Sequence, residues 1–277
     1  MVEDLDTNFR APSSLAFLAG GGEMGARMRE KDWTQTPLGS PATWPQSLKT
    51  CVRIILTSRQ PMFVWWGEAL TNLYNDAYKA IVGGRHPEAL GQPASVVLRE
   101  IWDQVGPRAE TTMRGDEGTY DEALLLIMER NGYPEETYYT FSYSPVADEH
   151  GAASGLICAN TDDTRRVIGE RQLSLLRDLA ARTASAQTLG EACFACAASL
   201  ASNGWDLPFA LLYLMDPDRQ GASLYAVVGI ERGHPVALEH VRLAGSSDND
   251  RHDESGDYGE VPDGRWRRCC KRKRLAL

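Results

Sequence analysis

The stretch ETYYTFSYS, residues 136–144, shows a regular alternation along the sequence. Its residues alternate, so that in an extended chain Tyr139, Phe141 and Tyr143 point to one side and residues 138, 140 and 142 point to the other. A period of two predicts a β-strand with one buried face. The Asn-Gly pair just upstream predicts a hairpin turn from a preceding strand. The stretch therefore predicts part of an antiparallel sheet.

Further strands and short helices are predicted on both sides of this stretch. The strands are residues 61–67, 69–75, 118–129 and 155–161. The helices are residues 23–31, 43–58, 76–82 and 96–113, with Thr43 as the N-cap of the second and an interruption at Gly106 and Pro107 in the last. This order predicts an α+β fold in which short helices cover one face of an antiparallel sheet.

One long helix follows the last of these strands, DTRRVIGERQLSLLRDLAARTASA, residues 163–186. At about 100° per residue, Ile168, Leu175 and Leu179 fall on one narrow arc, with Leu176 at its edge. A helix with this stripe, placed between two segments of different composition, is expected to pair with its copy in a homodimer and to carry motion between domains. The alternative is that it packs on its own domain.

Composition limits the classes of function. A chain of 277 residues with 43% apolar residues is expected to form two small domains. A net charge of -9 argues against nucleic-acid binding, which needs a basic face. No apolar run approaches the roughly 20 residues of a membrane span, and the acidic N-terminus is unlike a secretory signal. We expect a cytoplasmic protein with free thiols.

Two short motifs in the sequence resemble binding motifs. Gly20, Gly22 and Gly25 spell the dinucleotide fingerprint G-x-G-x-x-G, but the following TPLGSPATWPQ has three prolines and no strand, so a turn that opens a helix is the favoured interpretation. Cys193 and Cys196 form C-x-x-C within a helical run, without the second pair or histidine that zinc requires. No metal site is predicted, and the sequence requires no cofactor.

The sequence offers no set of catalytic residues. The adjacent Asp121 and Glu122 would face opposite sides of a strand, which prevents them from acting as an acid and base pair. His86 is a candidate haem ligand but is more simply a loop histidine. A phosphoacceptor histidine followed by Glu, and the boxes of an ATP lid, do not occur in the sequence. Enzymatic activity in this chain is therefore left open, with no catalytic residue predicted.

A set of aromatic residues with one amide is the candidate ligand pocket. It consists of Trp66, Tyr74, Asn75, Tyr78, Trp102, Tyr139, Phe141 and Tyr143. Aromatic rings with hydroxyl or N–H groups suit a small ligand that is mostly apolar. The alternative is that these rings simply fill the core. Asn72 and Asn75 favour a pocket, since a purely apolar core would not need them.

Several segments resemble one family closely. They include FLAGGGEMG, TWPQSL, PMFVWWG, LYNDAY, EIWD, GYPEETYYTFSYSP and VIGERQLSLLRDLAA, and the resemblance covers about residues 15–230. The sequence resembles the N-terminal sensory region of bacterial hybrid histidine kinases, in which a PAS domain is followed by a GAF domain. By this resemblance, TDDT at residues 161–164, with Asp162 and Asp163, couples the last PAS strand to the exit helix.

The resemblance implies the domain organisation. Residues 1–44 are an N-terminal extension, 45–164 a five-stranded PAS domain, 165–186 the signalling helix and 187–244 an incomplete GAF domain. Residues 245–277 are acidic and then basic, which is typical of a disordered tail or an altered reading frame. The expected function is sensory input to a kinase domain outside this chain, through a ligand or partner of the PAS domain. The alternative is a free-standing interaction module.

Overall fold

The computed structural model describes residues 15–115 and 117–243. The chain divides into two units, unit 1 up to Val167 and unit 2 from Ile168. The whole predicted charged tail, residues 245–277, and the first part of the N-terminal extension lie outside the described residues. Each unit has its own sheet, so each is described by itself.

Unit 1 contains short helices and five strands. The α-helices are α1 Gly22–Glu30, α2 Gln46–Thr57, α3 Lys79–Val82, α4 Ala94–Val97 and α5 Trp102–Arg114. The strands are β1 Met62–Trp66, β2 Thr71–Tyr74, β3 Thr119–Met128, β4 Glu135–Ala147 and β5 Ala153–Asp162. Single turns of 3-10 helix lie at Ala16–Leu18, Trp33–Gln35, Pro41–Thr43, Asp76–Tyr78 and Gly83–Arg85.

The five strands form one antiparallel sheet in the order β2-β1-β5-β4-β3. The predicted α+β fold with a five-stranded antiparallel sheet is confirmed. In the centre of the sheet, Phe63 and Tyr143 both lie opposite Cys158, so these three side chains share a face. The pairing of β3 with β4 is interrupted after Asp121 by a bulge, where Ala123 has a φ of 47°.

Two predictions about helix ends were wrong. The helix predicted to begin at Thr43 begins at Gln46, because Thr43 belongs to a 3-10 turn and its hydroxyl donates to the carbonyl of Ser40. The helix predicted at residues 96–113 is broken at residues 98–101 and not at Pro107, which lies inside α5. Burial of neighbouring residues of α5 holds this helix together although a proline inside it removes one hydrogen bond.

The core of unit 1 includes residues on the N-terminal side of α2. Leu18, Met24, Met28, Trp33 and Trp44 are all buried and belong to the same apolar cluster as the sheet. The segment predicted as an N-terminal extension therefore contributes, from residue 18 onward, to the core of unit 1. The domain boundary at residue 44 itself stays a prediction.

A long helix, α6 Thr164–Ala184, leads from unit 1 into unit 2 and agrees closely with the predicted helix. Unit 2 continues with α7 Leu189–Ala201 and the strands β6 Ala210–Met215, β7 Gly221–Val228 and β8 His240–Arg242. These strands form an antiparallel sheet in the order β6-β7-β8. The assignment of this unit to an incomplete GAF domain stays a prediction.

Candidate functional site

The structure brings most of the predicted pocket residues together on the buried face of the unit 1 sheet. Tyr74, Tyr78, Tyr139, Phe141 and Tyr143 are between 0% and 4% exposed. Ring centroids of Phe141 and Tyr143 lie 5.0 Å apart, and those of Tyr74 and Tyr78 lie 6.0 Å apart. All five side chains belong to one buried apolar cluster, and we call these rings the aromatic cluster.

Trp66 lies outside this cluster, and the adjacent Trp65 takes its place. The Trp65 ring lies 5.3 Å from Tyr143 and 5.8 Å from the half-buried Trp102. Because successive side chains of a strand face opposite sides of a sheet, Trp66 points to the other face. There it lines a cleft of about 410 Å³ beside Trp44. The run MFVWW is apolar at every position, so its sequence gave no signal for which face is which.

Phe63 also belongs to the cluster and was missed by sequence reasoning. Its ring lies 4.5 Å from Trp65, 5.1 Å from Tyr78 and 6.0 Å from Tyr143. Phe63 and Trp65 are two residues apart in β1, so the period of a strand places both on one face. The cluster therefore has its centre at β1 and β4.

Asn72 and Asn75 make hydrogen bonds within the protein. The Oδ1 atom of Asn72 accepts from the Trp65 indole N–H at 3.1 Å, and its amide donates to the carbonyl of Ala89 at 3.1 Å. Asn75 accepts from the backbone N–H groups of Met62 and Tyr78, and donates to three backbone carbonyls. These contacts account for both amides without a ligand.

The hydroxyl groups of the cluster are neutral groups. Burial raises the pKa of Tyr78 and Tyr143 well above the ordinary value of 10.0, and it also raises the pKa of Tyr74 and Tyr139. Burial likewise raises the pKa of the Cys158 thiol. At neutral pH these groups therefore offer hydrogen bonds and apolar contact, and not a nucleophile or a base.

The predicted coupling residue Asp163 connects β4 to the start of α6. Its backbone N–H donates to the carbonyl of Tyr138 at 2.9 Å, and its Oδ2 atom accepts from the Thr140 hydroxyl at 2.5 Å. The Thr140 hydroxyl, followed by the Arg166 guanidinium, holds the pKa of Asp163 below its ordinary value of 3.8. Asp163 is therefore an ionised link between the sheet and the helix.

Thr140 extends this link to a third element. Its Oγ1 atom accepts from the backbone N–H of Ala123, at 2.9 Å, in the bulge of β3. The same hydroxyl donates to Asp163, so it joins the β3 bulge, β4 and the start of α6. The backbone N–H of Tyr138 also donates to the Thr164 hydroxyl at 3.0 Å. Strand β4 is therefore hydrogen-bonded both to the bulge of β3 and to the start of α6.

Asp162 makes a second connection, through a residue that sequence reasoning missed. Its Oδ1 atom accepts from the backbone N–H of Thr164, the first residue of α6, at 3.0 Å. Its Oδ2 atom lies 3.3 Å from Arg130, which also donates to the Tyr139 hydroxyl at 3.0 Å and pairs with Glu135. Arg130 thus connects the aromatic cluster to the helix start. Its partners are up to 32 residues away, and no local pattern indicates them.

None of the residues of α6 is buried. Ile168, Leu175 and Leu179 of the predicted seam are half-buried, whereas Leu176 is 61% exposed. Leu173, which the sequence interpretation did not include, is 55% exposed. Together these residues leave an uncovered apolar surface along the helix.

The G-x-G-x-x-G segment is occupied by a carboxylate of the same chain. Asp76 accepts from the backbone N–H groups of Glu23 and Met24, at 3.0 Å and 2.8 Å, at the N-terminus of α1. A Cβ atom on Gly22 would lie 1.9 Å from Asp76 Oδ2, which explains why glycine is needed there. The amides that would bind a phosphate are therefore already used.

Within residues 15–115 and 117–243, no group of three or more His, Cys, Asp and Glu side chains is placed to hold a metal ion. Cys193 is buried and Cys196 half-buried, and both are free thiols. None of the helices in these ranges combines the length and the apolar character that crossing a membrane requires.

The chain matches no family model and no curated protein. Among solved structures, the phage VqmA-DPO complex is 13% identical, with 47% of this chain and 58% of that chain covered and a TM-score of 0.33. An RNA-binding Light-Oxygen-Voltage receptor is 20% identical, with 52% and 41% covered and a TM-score of 0.36.

The PAS domain of a protein from Colwellia psychrerythraea is 15% identical, with 43% of this chain and 98% of that chain covered and a TM-score of 0.34. The chain thus spans 58% and 41% of the length of the first two structures. The fold class of unit 1 is defined by its own sheet. Its five antiparallel strands, in the order β2-β1-β5-β4-β3, together with short helices match the PAS fold.

Proposed function

We propose that the chain is a sensory input module of a histidine kinase, in which the aromatic cluster of unit 1 receives a signal and α6 transmits it to a kinase domain outside the chain. The signal is a small ligand or a protein partner. The observation that carries this proposal is the junction at Asp163, whose carboxylate and backbone tie the start of α6 to β4. The kinase connection is supported by the resemblance of the sequence motifs.

Transmission from the cluster to α6 has a contiguous route. The Tyr139 hydroxyl, inside the cluster, accepts from Arg130, and Arg130 pairs with Asp162 beside the first turn of α6. A ligand that moves Tyr139 would change the position of Arg130 and, through it, of the helix start. It would send a signal only if it bound one arrangement of α6 more tightly than another.

We propose further that α6 pairs with α6 of a second copy. The helix has no buried residue, and Leu173 and Leu176 are more than half exposed. Burial of such side chains against a partner helix would contribute favourable free energy at about 25 cal/mol per Å². The half-buried Leu175 and Leu179 would lie at the edge of the contact, so the centre of the seam is moved towards Leu176.

The Thr140→Val variant tests the coupling at the junction. It keeps the shape of the side chain but removes the bonds to Asp163 and Ala123, so amide hydrogen exchange in the first turn of α6 should become faster. Thr161→Val is the matched control, because Thr161 lies directly opposite Thr140 on β5 and is exposed. Unchanged exchange in α6 of Thr140→Val would rule out the junction as the route.

Native mass spectrometry of the purified chain addresses the nature of the signal. A small molecule that stays bound, and that is lost in a Tyr139→Ala variant, would establish a ligand in the cluster. An empty protein would favour the alternative of an interaction module. That alternative has its own support, because Tyr120 and Ile127 on β3 are 65% and 38% exposed. Both face away from the aromatic cluster.

A further inference from the structure

A series of hydrogen-bonded side chains connects the surface of α1 with the aromatic cluster. The Glu23 carboxylate accepts from Arg27 and Lys79, each at 2.7 Å, and lies 3.0 Å from His86 Nε2. The other ring nitrogen of His86, Nδ1, lies 2.9 Å from the Tyr74 hydroxyl. Glu23, His86 and Tyr74 therefore form one hydrogen-bonded chain, which we name the Glu23–His86–Tyr74 chain.

The two ends of this chain differ in their access to solvent. The Glu23 side chain is 41% exposed and that of His86 is 18% exposed, whereas Tyr74 is fully buried. The Tyr74 ring lies 6.0 Å from Tyr78, whose ring lies 5.1 Å from Phe63 in the centre of the cluster. Protons from solvent can thus reach Tyr74, in the aromatic cluster, through the single imidazole of His86.

The charge of Glu23 determines which nitrogen of a neutral His86 carries the hydrogen. Hydrogen bonds from Lys79, Arg27 and His86 lower the pKa of Glu23 to about 2, so this carboxylate is ionised and only accepts. His86 Nε2 therefore carries the hydrogen and donates to Glu23. Nδ1 is then the acceptor, and the buried Tyr74 hydroxyl donates to it.

We propose that the Glu23–His86–Tyr74 chain is a proton switch, in which protonation of His86 reverses the direction of its hydrogen bond with Tyr74. A protonated imidazole carries a hydrogen on both nitrogens, so Nδ1 becomes a donor. Tyr74 then has to accept, and its own hydrogen turns away from His86 within the buried cluster. Histidine is the side chain that ordinarily changes charge between about pH 5 and 8.

Charged groups of both signs lie around the Glu23–His86–Tyr74 chain. The Glu23 carboxylate that contacts His86 also pairs with Arg27 of α1 and with Lys79 of α3. Asp76 contributes a carboxylate 3.6 Å from Lys79, and Glu88 follows in the same loop. The neighbouring Arg85 is paired with Glu100.

Nuclear magnetic resonance of the full chain, with labelled histidine and tyrosine, tests the switch between pH 5 and 8. The His86 and Tyr74 ring signals should shift with one shared midpoint, while the exposed Tyr133 serves as an internal reference. In Glu23→Gln the shared midpoint should move to lower pH, since the imidazolium loses its carboxylate. A Tyr74 signal that stays constant while His86 titrates would overturn the proposal.

Two variants separate the switch from a general effect of pH. His86→Gln should make the Tyr74 signals independent of pH, and His150→Gln, in an exposed turn, should leave their titration intact. Should His86→Gln fail to fold, Tyr74→Phe gives the same decision: Tyr78 signals that still follow pH would refute transmission through the Tyr74 hydroxyl. These readouts do not involve signal output, so they stand or fall separately from the sensory function proposed above.

Discussion

Replacement of Asn75 by alanine is expected to destabilise unit 1 strongly. The side chain is 2% exposed and makes five hydrogen bonds to backbone groups, of which the one from Met62 N–H is at 3.0 Å. Loss of this acceptor leaves the Met62 N–H without its side-chain partner, at a cost of roughly 1–3 kcal/mol, and the other bonds add to it. We expect a total loss of about 3 kcal/mol in the free energy of unfolding.

Urea unfolding followed by circular dichroism measures this loss. About 3 kcal/mol is a large share of the roughly 5–15 kcal/mol that holds a typical domain together, and it corresponds to a decrease in Tm of about 6–12 °C. The matched control is Asn131→Ala, in an exposed turn where the side-chain amide donates to Glu135 at 3.0 Å. This control should change the free energy by less than about 0.5 kcal/mol.

The same experiment decides what Asn75 is for. An amide that served only to bind a ligand would be dispensable for stability, and Asn75→Ala would then unfold like the wild type in the absence of ligand. A change below about 1 kcal/mol would therefore refute the anchoring role worked out from the hydrogen bonds. Asn75 would then again be a candidate ligand-binding residue.

Three other variants have defined outcomes. Gly22→Ala should lower the Tm far more than Gly20→Ala, because both glycines have positive φ but only the Cβ at Gly22 would meet the Asp76 carboxylate. Asp163→Asn should lose less stability in acid than the wild type. The lowered pKa of Asp163 stabilises the wild-type fold above about pH 4, and this contribution fades as the pH falls. The free energies of unfolding of the two proteins should therefore converge in acid. Leu176→Asp should halve the mass in light scattering if α6 is a dimer seam, and an unchanged mass would exclude that seam.

The sheet of unit 1 was predictable because its strands carry local signals. The alternation at Tyr139, Phe141 and Tyr143 identified both the strand and its buried face, and the structure buries all three. The same signal failed in β1, where all five residues are apolar and both faces of the strand are buried, so the choice between Trp65 and Trp66 depends on which rings pack beside them. That choice is a property of packing and not of the strand.

The coupling residues likewise include two that the sequence identified and one that it did not. Asp162 and Asp163 were identified through resemblance to a known motif, which depends on a short stretch of sequence. Arg130 was missed because its role comes from bringing Tyr139 and Asp162 within reach of one guanidinium. An arginine beside a turn is ordinarily solvated, and only the pairing of β4 with β5 makes this one a connection.

By itself, the sequence determined the order of helices and strands, the antiparallel sheet and the long helix after it, because each follows from periodicity, turns and apolar stripes within about 20 residues. The tertiary structure alone decided which aromatic rings meet, that Asn75 anchors backbone groups, and that Asp76 fills the glycine segment at α1. The physical reason is that hydrogen-bond satisfaction and close packing are properties of groups brought together in space. Asp76 lies more than 50 residues from the amides it holds, and only folding unites them.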